Sequence, residues 1–530
     1  MKTRELGIGI ALTLLVGAGA FVLGSVLGPA QDRAVDLAPN NTFIYGNAFL
    51  SPSTSQKMAI RDLLKKFPDG GTPEEAEAAL DAFLDDLLKA EGLKWTNDIK
   101  PWLGDQLAFF FMAPAAVTGE ADGAALIAST DHDAAQAFME KARAASDSQG
   151  PLEEKSHEGV PYQHDDSQNT SYGFVEGFLV IGTEGGFKAA VDASQGKALS
   201  DSERYESALE PLPDDYLALF YFDGKPLIDA MGTALPPGFV QNNPLMQAST
   251  NAAAGVVYAR DDGIVTDVAG ALPSGVLGGI GVPTDAGLLP ELPGDSWGAF
   301  GANDVGRSFQ ELFNALDSFG MPGMTTGFIT AQVKRETGLD LQHDVFSWMG
   351  DLGLFVQGTS LRELGGGVVI ETKDQHAAGA ALLKLQRYLK RQGVPLHPDT
   401  VDAALGFAIQ NPFMPEPVNF VVGNRRVVIT YGRQATVSGL SSATPLSNDS
   451  GYKAAVASLG EGFVPGGYFD IQGIIQVVER SLTDMGLAEG EDFTRYQQDV
   501  RPNLEPLTHF VFGSKKEGDH VVQRVVIGVK

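Results

Sequence analysis

The chain has no cysteine among its 530 residues. That absence excludes disulfide frameworks, thiolate nucleophiles, Cys-ligated zinc, iron–sulfur centres and lipidation through an N-terminal cysteine. Histidine is scarce and scattered, at eight. Cations are in deficit: 38 Lys and Arg stand against 67 Asp and Glu, a net charge of −29. A chain this acidic is a poor general binder of polyanions, because phosphate contacts need clustered cations, and no nucleic-acid partner is expected. Also missing are HExxH, a phosphate loop ending in Gly-Lys-Ser/Thr, a GxSxG elbow and an EF-hand loop. The Gly278-Gly279-Ile280-Gly281 stretch lacks the preceding strand and following helix of a dinucleotide fingerprint. No catalytic, cofactor-binding or metal-ligating set is assigned.

What is present begins at the N-terminus. After Met1-Lys2-Thr3-Arg4-Glu5, residues 6–27 carry no charge. As a helix they span about 33 Å, enough for a hydrocarbon layer. Lys2 and Arg4 precede the run and hold the N-terminus in the cytoplasm. The expectation is a single-pass anchor in the cytoplasmic membrane, lipid being its partner, with the bulk of the chain periplasmic or extracellular. A cleaved signal peptide is the alternative, although its apolar core is usually shorter. Ala20, Gly24 and Gly28 fall at the spacing of close-packed membrane helices, but glycine is common throughout.

An internal repeat organises the remainder. Glu91–Asp105 and Thr337–Asp351 match in six of 15 columns, including Trp102/Trp348 and Gly104-Asp105/Gly350-Asp351. Leu199–Asp223 and Leu446–Asp470 match in eight of 25, both ending Tyr-Phe-Asp. The offsets, 246 and 247, agree. Each half reads β-α-α-β-β-α-β-β-α-α-β-α-β-β, an α+β pattern with a largely antiparallel sheet. The expected layout is a cytoplasmic tip and anchor at 1–30, a spacer at 31–40, a first repeat at 41–273, a Gly/Pro-rich linker at 274–295 and a second repeat at 296–530. Thr72-Pro73-Glu74-Glu75 opens a helix whose Leu80, Phe83, Leu84, Leu87 and Leu88 share a face. Ile60, Leu63, Leu64 and Phe67 form a similar stripe, and Phe309, Leu312, Phe313, Leu316 and Phe319 are its counterpart. Both stripes are expected to bury against a sheet.

Several residue groups invite chemistry and are weighed against plainer roles. Asp131-His132-Asp133 offers metal-type ligands, but a strand passes into a helix there, and Asp133 reads as an N-cap. His164-Asp165-Asp166 reads as a solvated polar loop before a β-run. Trp102 and Trp348 read as core plugs after a helical turn, the following Gly allowing the turn and the Asp capping it. Asp223 and Asp470 read as N-caps. Lys384, Arg387, Lys390 and Arg391 make a basic helix face, either solvated or turned to an acidic partner, an anionic headgroup or the acidic helix at 74–91.

Ile60–Pro68 (IRDLLKKFP), Ile99–Asp105 (IKPWLGD), Gly177–Ala193 (GFLVIGTEGGFKAAVDA) and Leu199–Asp223 together resemble a bacterial exported family known as domain of unknown function 3352. The resemblance covers most of the region after the anchor and is clearest in the first half. It implies an N-terminal membrane segment or signal joined to this ectodomain, and it brings no catalytic residues. In the second half Lys100-Pro101-Trp102-Leu103 becomes Phe346-Ser347-Trp348-Met349, and the Gly182–Gly186 turn loses its form. A site in that turn would be confined to the first half.

These readings point to an envelope protein that binds or scaffolds, with a protein partner in the envelope and an unassigned oligomeric state. An envelope hydrolase whose residues converge only on folding is one alternative. A carrier or chaperone for an apolar ligand is the other. Deleting residues 1–30 is expected to release a soluble, acidic protein; aggregation of that product in size-exclusion chromatography would reveal a further membrane-facing surface.

Overall fold

The computed structural model describes residues 31–68, 73–89, 92–114, 121–144, 150–232, 240, 246–247, 249–271, 285–315, 325–401, 404–410 and 414–530. Residues 6–27 and 272–284, the Thr72 cap, the side chains of Leu80 and Phe83, and Leu316 and Phe319 lie outside that description. Among the described residues no helix is long and apolar enough to cross a membrane. The chain divides into two compact units, residues 1–237 with 249–271 and residues 238–248 with 272–530.

The first unit runs β1 (Thr42–Phe49), α1 (Thr54–Leu64), α2 (Pro73–Leu88), β2 (Leu103–Met112), β3 (Gly123–Ser129) and α3 (His132–Ala144). It continues with β4 (Leu152–His157), β5 (Val160–Asp165), β6 (Thr170–Val175), β7 (Phe178–Gly182), α4 (Glu184–Ser194) and α5 (Glu203–Leu209). It closes with β8 (Ala218–Asp223), α6 (Gly224–Met231), β9 (Ala252–Arg260) and β10 (Gly263–Ala271). Its strands pair in the order β4-β5-β6-β7-β3-β2-β1-β8-β9-β10, every pair antiparallel.

The second unit opens with β11 (Ser296–Ala302), α7 (Val305–Ala315), α8 (Thr326–Thr337), β12 (Met349–Gln357), β13 (Gly365–Thr372) and α9 (Gln375–Arg391). Next come β14 (Leu396–Val401), β15 (Ala404–Ile409), β16 (Val418–Gly423), β17 (Arg426–Tyr431), α10 (Arg433–Leu440) and α11 (Ser450–Leu459). Then follow β18 (Val464–Asp470), α12 (Ile471–Asp484), two short helical turns, β19 (Leu507–Glu517) and β20 (His520–Val529). The order β14-β15-β16-β17-β13-β12-β11-β18-β19-β20 follows, again antiparallel throughout. Position by position, it is the order found in the first unit. The fold is therefore mixed α+β.

Two hairpin strands per unit escaped the sequence pattern. β5 ends in the His164-Asp165 stretch read as a loop, β4 precedes it where no strand was expected, and β14 and β15 stand at the corresponding place. Strong polarity hid β4, whose Glu153, Glu154 and Lys155 sit on a sheet edge where charge is tolerated.

The spacer and part of the linker are also structural. Ala34–Leu37 forms a 3-10 turn, and Ala34, Val35, Leu37 and Ala38 are buried. Pro39 bridges to Ala198, and the Leu199 N–H donates to the Ala38 carbonyl at 2.7 Å. Leu289–Glu291 forms the same kind of turn in the second unit. There Pro293 bridges to Pro445, and the Leu446 N–H donates to the Leu292 carbonyl at 2.8 Å. In the spacer the apolar side chains are few but buried, and in the described part of the linker Leu288, Leu289 and Leu292 are buried.

One face of each sheet carries the main core. In the first unit Tyr45, Phe110, Leu126, Val180, Tyr221 and Val256 lie there, with α4 against β3, β6 and β7 and α5 against β9 and β10. On the opposite face the described residues cover part of the sheet. α2, a π-helical turn (Trp95–Ile99) and α3 bury Leu84, Trp95, Ile99, Trp102, Phe138, Leu107 and Leu179 in one cluster. Trp348, Met349, Ile370 and Val427 make a smaller cluster in the second unit.

Not every stripe behaves as expected. Leu84 and Leu88 are buried, but Leu87 is 43% exposed. Phe309 and Leu312 are 43% and 40% exposed, because α7 packs on β12 and the turn at Phe346–Trp348, whereas α1 packs on β9. The two helices are therefore not equivalent in packing.

Both tryptophans are buried and anchored in one way. The Trp102 indole donates to the Asp98 carbonyl at 2.7 Å, and the Trp348 indole to the Asp344 carbonyl at 2.7 Å. Trp102→Ala and Trp348→Ala are each expected to lower stability by about 3–5 kcal/mol, the cost of truncating a large core side chain. Equilibrium urea unfolding followed by circular dichroism checks this, and a loss under about 1 kcal/mol would remove both residues from the core.

Candidate functional site

Two residues flagged separately in the sequence, His164 and the glycine turn at 182–186, meet in the first unit. β5 alternates sides, so Tyr162 and His164 point the same way, toward the start of α4. Thr183 caps α4 by accepting from the Gly186 N–H at 3.0 Å, and Glu184 follows it. The glycines serve packing: a Cβ on Gly185 would lie 2.4 Å from Asp122 Oδ2, and one on Gly186 2.2 Å from the Gly123 carbonyl. The helix can thus start against the beginning of β3.

Glu184 is the centre of the cluster. Tyr162 donates its hydroxyl to Oε1 at 2.8 Å, Lys188 stands at 3.0 Å and Lys155 at 3.3 Å. His164 Nε2 lies 3.8 Å from Oε2, while its Nδ1 is 2.9 Å from the Ser171 hydroxyl. The Lys188 ammonium, helped by Tyr162 and Lys155, outweighs desolvation and holds the Glu184 carboxyl down at about 2. Desolvation first, and then this carboxylate, pushes the Tyr162 phenol above its usual range. A carboxylate so fully committed is a weak base, and a phenol so raised is a weak acid. The cluster is built to fix charge in place.

His164 is 2% exposed, so the solvated-loop reading of residues 164–166 is overturned for it. Asp165 is buried too and is held by Arg143 at 3.1 Å; Asp166 alone faces solvent. The corresponding strands of the second unit set Ala408 opposite Asn419, and Gly432-Arg433-Gln434 open α10. Its buried polar groups there are neutral: Asn419 Nδ2 donates to Thr436 Oγ1 at 2.8 Å, and Thr436 and Thr430 hydroxyls are 2.8 Å apart.

The remaining groups fall into structural roles. Asp131, rather than Asp133, accepts from the Ala134 N–H at 3.1 Å and caps α3, and His132 stacks on Phe174 at 4.2 Å. Asp223 and Asp470 cap α6 and α12 by accepting from Lys225 and Gln472 N–H groups. Asp105 does not cap its own turn: its carboxylate meets Arg33 at 2.6 Å, and its carbonyl takes the Leu50 N–H. Asp351 likewise takes the Asp304 N–H at 2.9 Å. On the basic face, Lys384 is engaged by Asp344 at 2.6 Å. The acidic helix spends Asp81 on Trp95 and Lys100, Asp85 on Thr96 and Glu77 on Lys100. Among the described residues no group of three or more His, Asp and Glu is placed to hold a metal ion.

Asp32 and Tyr45 form a second titratable pair that the sequence did not reveal. The phenol donates to both carboxylate oxygens, at 2.8 and 2.9 Å. Desolvation lifts the Asp32 carboxyl to about 6 in spite of these bonds. In the second unit a polar cavity of about 300 Å³ is lined by Asp285, Glu291, Asp351, Glu371, Arg425 and Arg426, among others. Its arginines are paired, Arg426 with Glu291 and Arg425 with Glu371, while Asp285 and Asp351 accept from Gly287, Asn303 and Asp304.

Fold and site together describe an antiparallel α+β protein with a network of ion pairs around Glu184. The chain belongs to the family described as Protein of unknown function (DUF3352), which it matches over residues 6–502. No curated protein matches it. Crystal form IV of TP0453 is 10% identical with a TM-score of 0.23, covering 47% of this chain and 81% of its own. Crystal form I of TP0453 is 10% identical with a TM-score of 0.15, covering 79% and 100%. Scores this low define no common architecture.

The depressed Glu184 carboxyl fixes a sign for acid behaviour. Its ionised form is favoured by the fold, so its stabilisation is complete above the ordinary value of 4.5 and is lost as pH falls toward about 2. The melting-temperature advantage of the native chain over Glu184→Gln is expected at pH 6 and should shrink through that window. A difference that is constant from pH 6 to pH 2 would place Glu184 outside the network.

Proposed function

We propose that this chain is a membrane-anchored, extracytoplasmic protein of the cell envelope that acts by binding, and that its two units are related copies of one fold. The anchor is supported by the uncharged run at 6–27 behind Lys2 and Arg4. The duplication is supported by the matched sequence blocks, the matched strand orders and the paired Trp102/Trp348 anchors. Binding in preference to turnover is carried by one observation: the charge cluster around the half-buried Glu184 holds its acid and base far from neutral proton transfer. The hydrolase reading would need a poised nucleophile or base, which this cluster does not supply.

Topology and attachment are tested with one fusion series. Alkaline phosphatase joined after Lys530 is expected to be active, and the full chain should stay with membranes in alkaline carbonate while residues 31–530 are released. An inactive fusion, or a full chain that washes off, overturns the placement.

A further inference from the structure

The half-buried Asp32 turns its carboxyl inward, onto the fully buried Tyr45. Its Oδ1 also takes the Val35 N–H at 3.2 Å. Among the described residues it forms no ion pair; Arg33 beside it goes to Asp105 and lies over the Phe178 ring. Asp36 accepts the Ser200 hydroxyl at 2.6 Å. On α4, which packs against this segment, Glu184 and Lys188 hold each other and Asp192 meets His157. From α5 and the chain ahead of β8 come two more phenols, Tyr205 and Tyr216. Burial first, and then the Asp32 charge, pushes both above their usual range, with Asp36 adding to Tyr205 and Asp214 to Tyr216. Phenols, not cations, therefore surround this carboxyl.

The same corner holds an unmet acceptor. Asn47 lies two residues beyond Tyr45 on β1, on the same side, and is 3% exposed. Its amide acts on the Asp32 carboxyl, yet among the described residues neither its nitrogen nor its oxygen completes a hydrogen bond. A carboxylate only accepts, so it offers Asn47 Oδ1 nothing, whereas the neutral acid brings an O–H beside that oxygen. A buried acceptor left unpaired is costly. Geometry and desolvation thus favour the acid form together.

The second unit docks its corresponding turn without any of this. Leu292-Pro293 makes the contacts that Ala38-Pro39 makes in the first unit, which sets Ala286 at the place of Asp32. Ala299, opposite Tyr468, stands where Tyr45 stands opposite Tyr221, and Gly301 stands for Asn47. A Cβ on Gly301 would lie 2.9 Å from the Leu289 Cβ, so the turn there packs straight onto the strand. Docking alone does not call for a titratable group. The carboxyl, the phenol and the amide occur in the unit that adjoins the uncharged run at 6–27.

We propose that Asp32 is a proton-controlled fastener: protonated, it locks residues 31–38 onto β1 and β2, and ionised, it loosens them. The raised carboxyl, about 6 against an ordinary 3.8, sets the sign. The gain in docking is complete below 3.8 and is lost as pH rises through about 6. With the anchor assigned above, release of residues 31–40 lengthens the tether by up to about 35 Å, so acidity outside the membrane would govern its length. The fastening itself does not depend on the anchor.

Amide hydrogen exchange of the full chain in dodecyl maltoside tests this, with each rate compared to the intrinsic rate at the same pH. Protection of residues 38–42 and of Leu199, whose N–H donates to Ala38, is expected to fall by about tenfold from pH 5 to pH 7.5. Residues 289–296 and Leu446, docked with no carboxyl at that place, should show no such fall. Asp32→Asn should keep the pH 5 protection at pH 7.5. Asp32→Ala, which installs the second unit's residue, should also flatten the profile and serves if Asp32→Asn disturbs melting. A fall that survives these substitutions, equal falls in the two units, or a flat profile in the native chain would overturn the proposal. A full chain that washes off membranes would remove the anchor and leave these outcomes unchanged.

Discussion

Each unit is organised around one carboxylate clasp. Asp98 accepts the Lys94 N–H at 2.8 Å and the Lys141 ammonium at 2.6 Å, while its carbonyl takes the Trp102 indole. Asp344 accepts the Asp340 N–H at 2.8 Å and the Lys384 ammonium at 2.6 Å, while its carbonyl takes the Trp348 indole. The turn closed by this aspartate is π-helical in both units. Burial works against the charge of each aspartate, but the N–H and the lysine prevail and keep both carboxyls below their usual range. One side chain thereby fixes the turn, the following helix and the aromatic plug over the sheet. A buried indole needs a partner for its N–H, and a turn of unusual pitch brings a carbonyl to it.

Much of this could be read from residues alone. The matched Trp-Gly-Asp blocks, the N-caps at Asp223 and Asp470 and the α+β alternation rest on local spacing, which folding preserves. The clasp itself was half visible: Asp98 and Asp344 were aligned, but their lysines lie 43 and 40 residues away on α3 and α9. The Glu184 cluster was invisible as a unit for the same reason. It needs the register of β5 on β6 to place His164 by Ser171, and the β7-to-α4 turn to bring in Glu184. Periodicity also failed for β4 and β14, where the strand sits at a sheet edge and its sides are no longer distinguished by burial. The stripe on α7 shows the converse error, since Phe309 and Leu312 have helical spacing yet remain exposed.

The contrast between the units is informative about what each position demands. Where the first unit sets the half-buried Glu184 beside buried His164 and Tyr162, the second buries the neutral Asn419, Thr430 and Thr436, and the exposed Arg433 opens the corresponding helix. A neutral hydrogen-bonded trio satisfies the same corner of the fold, so charge is not required there for folding. Buried ion pairs are often no more stabilising than neutral replacements. The clasp, by contrast, keeps its charge in both units, where its carboxylate accepts the backbone N–H that opens the turn and a lysine ammonium.

The docking of residues 31–38 has a mechanical consequence. The Gln31 carbonyl is held by Gln106, and the Arg33 N–H donates to the Gln106 side chain at 3.2 Å. Arg33 also grips Asp105, and Asp32 grips Tyr45. Any tension on the N-terminus therefore enters through β2 and β1, in the middle of a ten-stranded sheet, instead of peeling an edge. Load is shared by several bonds to two central strands, so no single contact carries it.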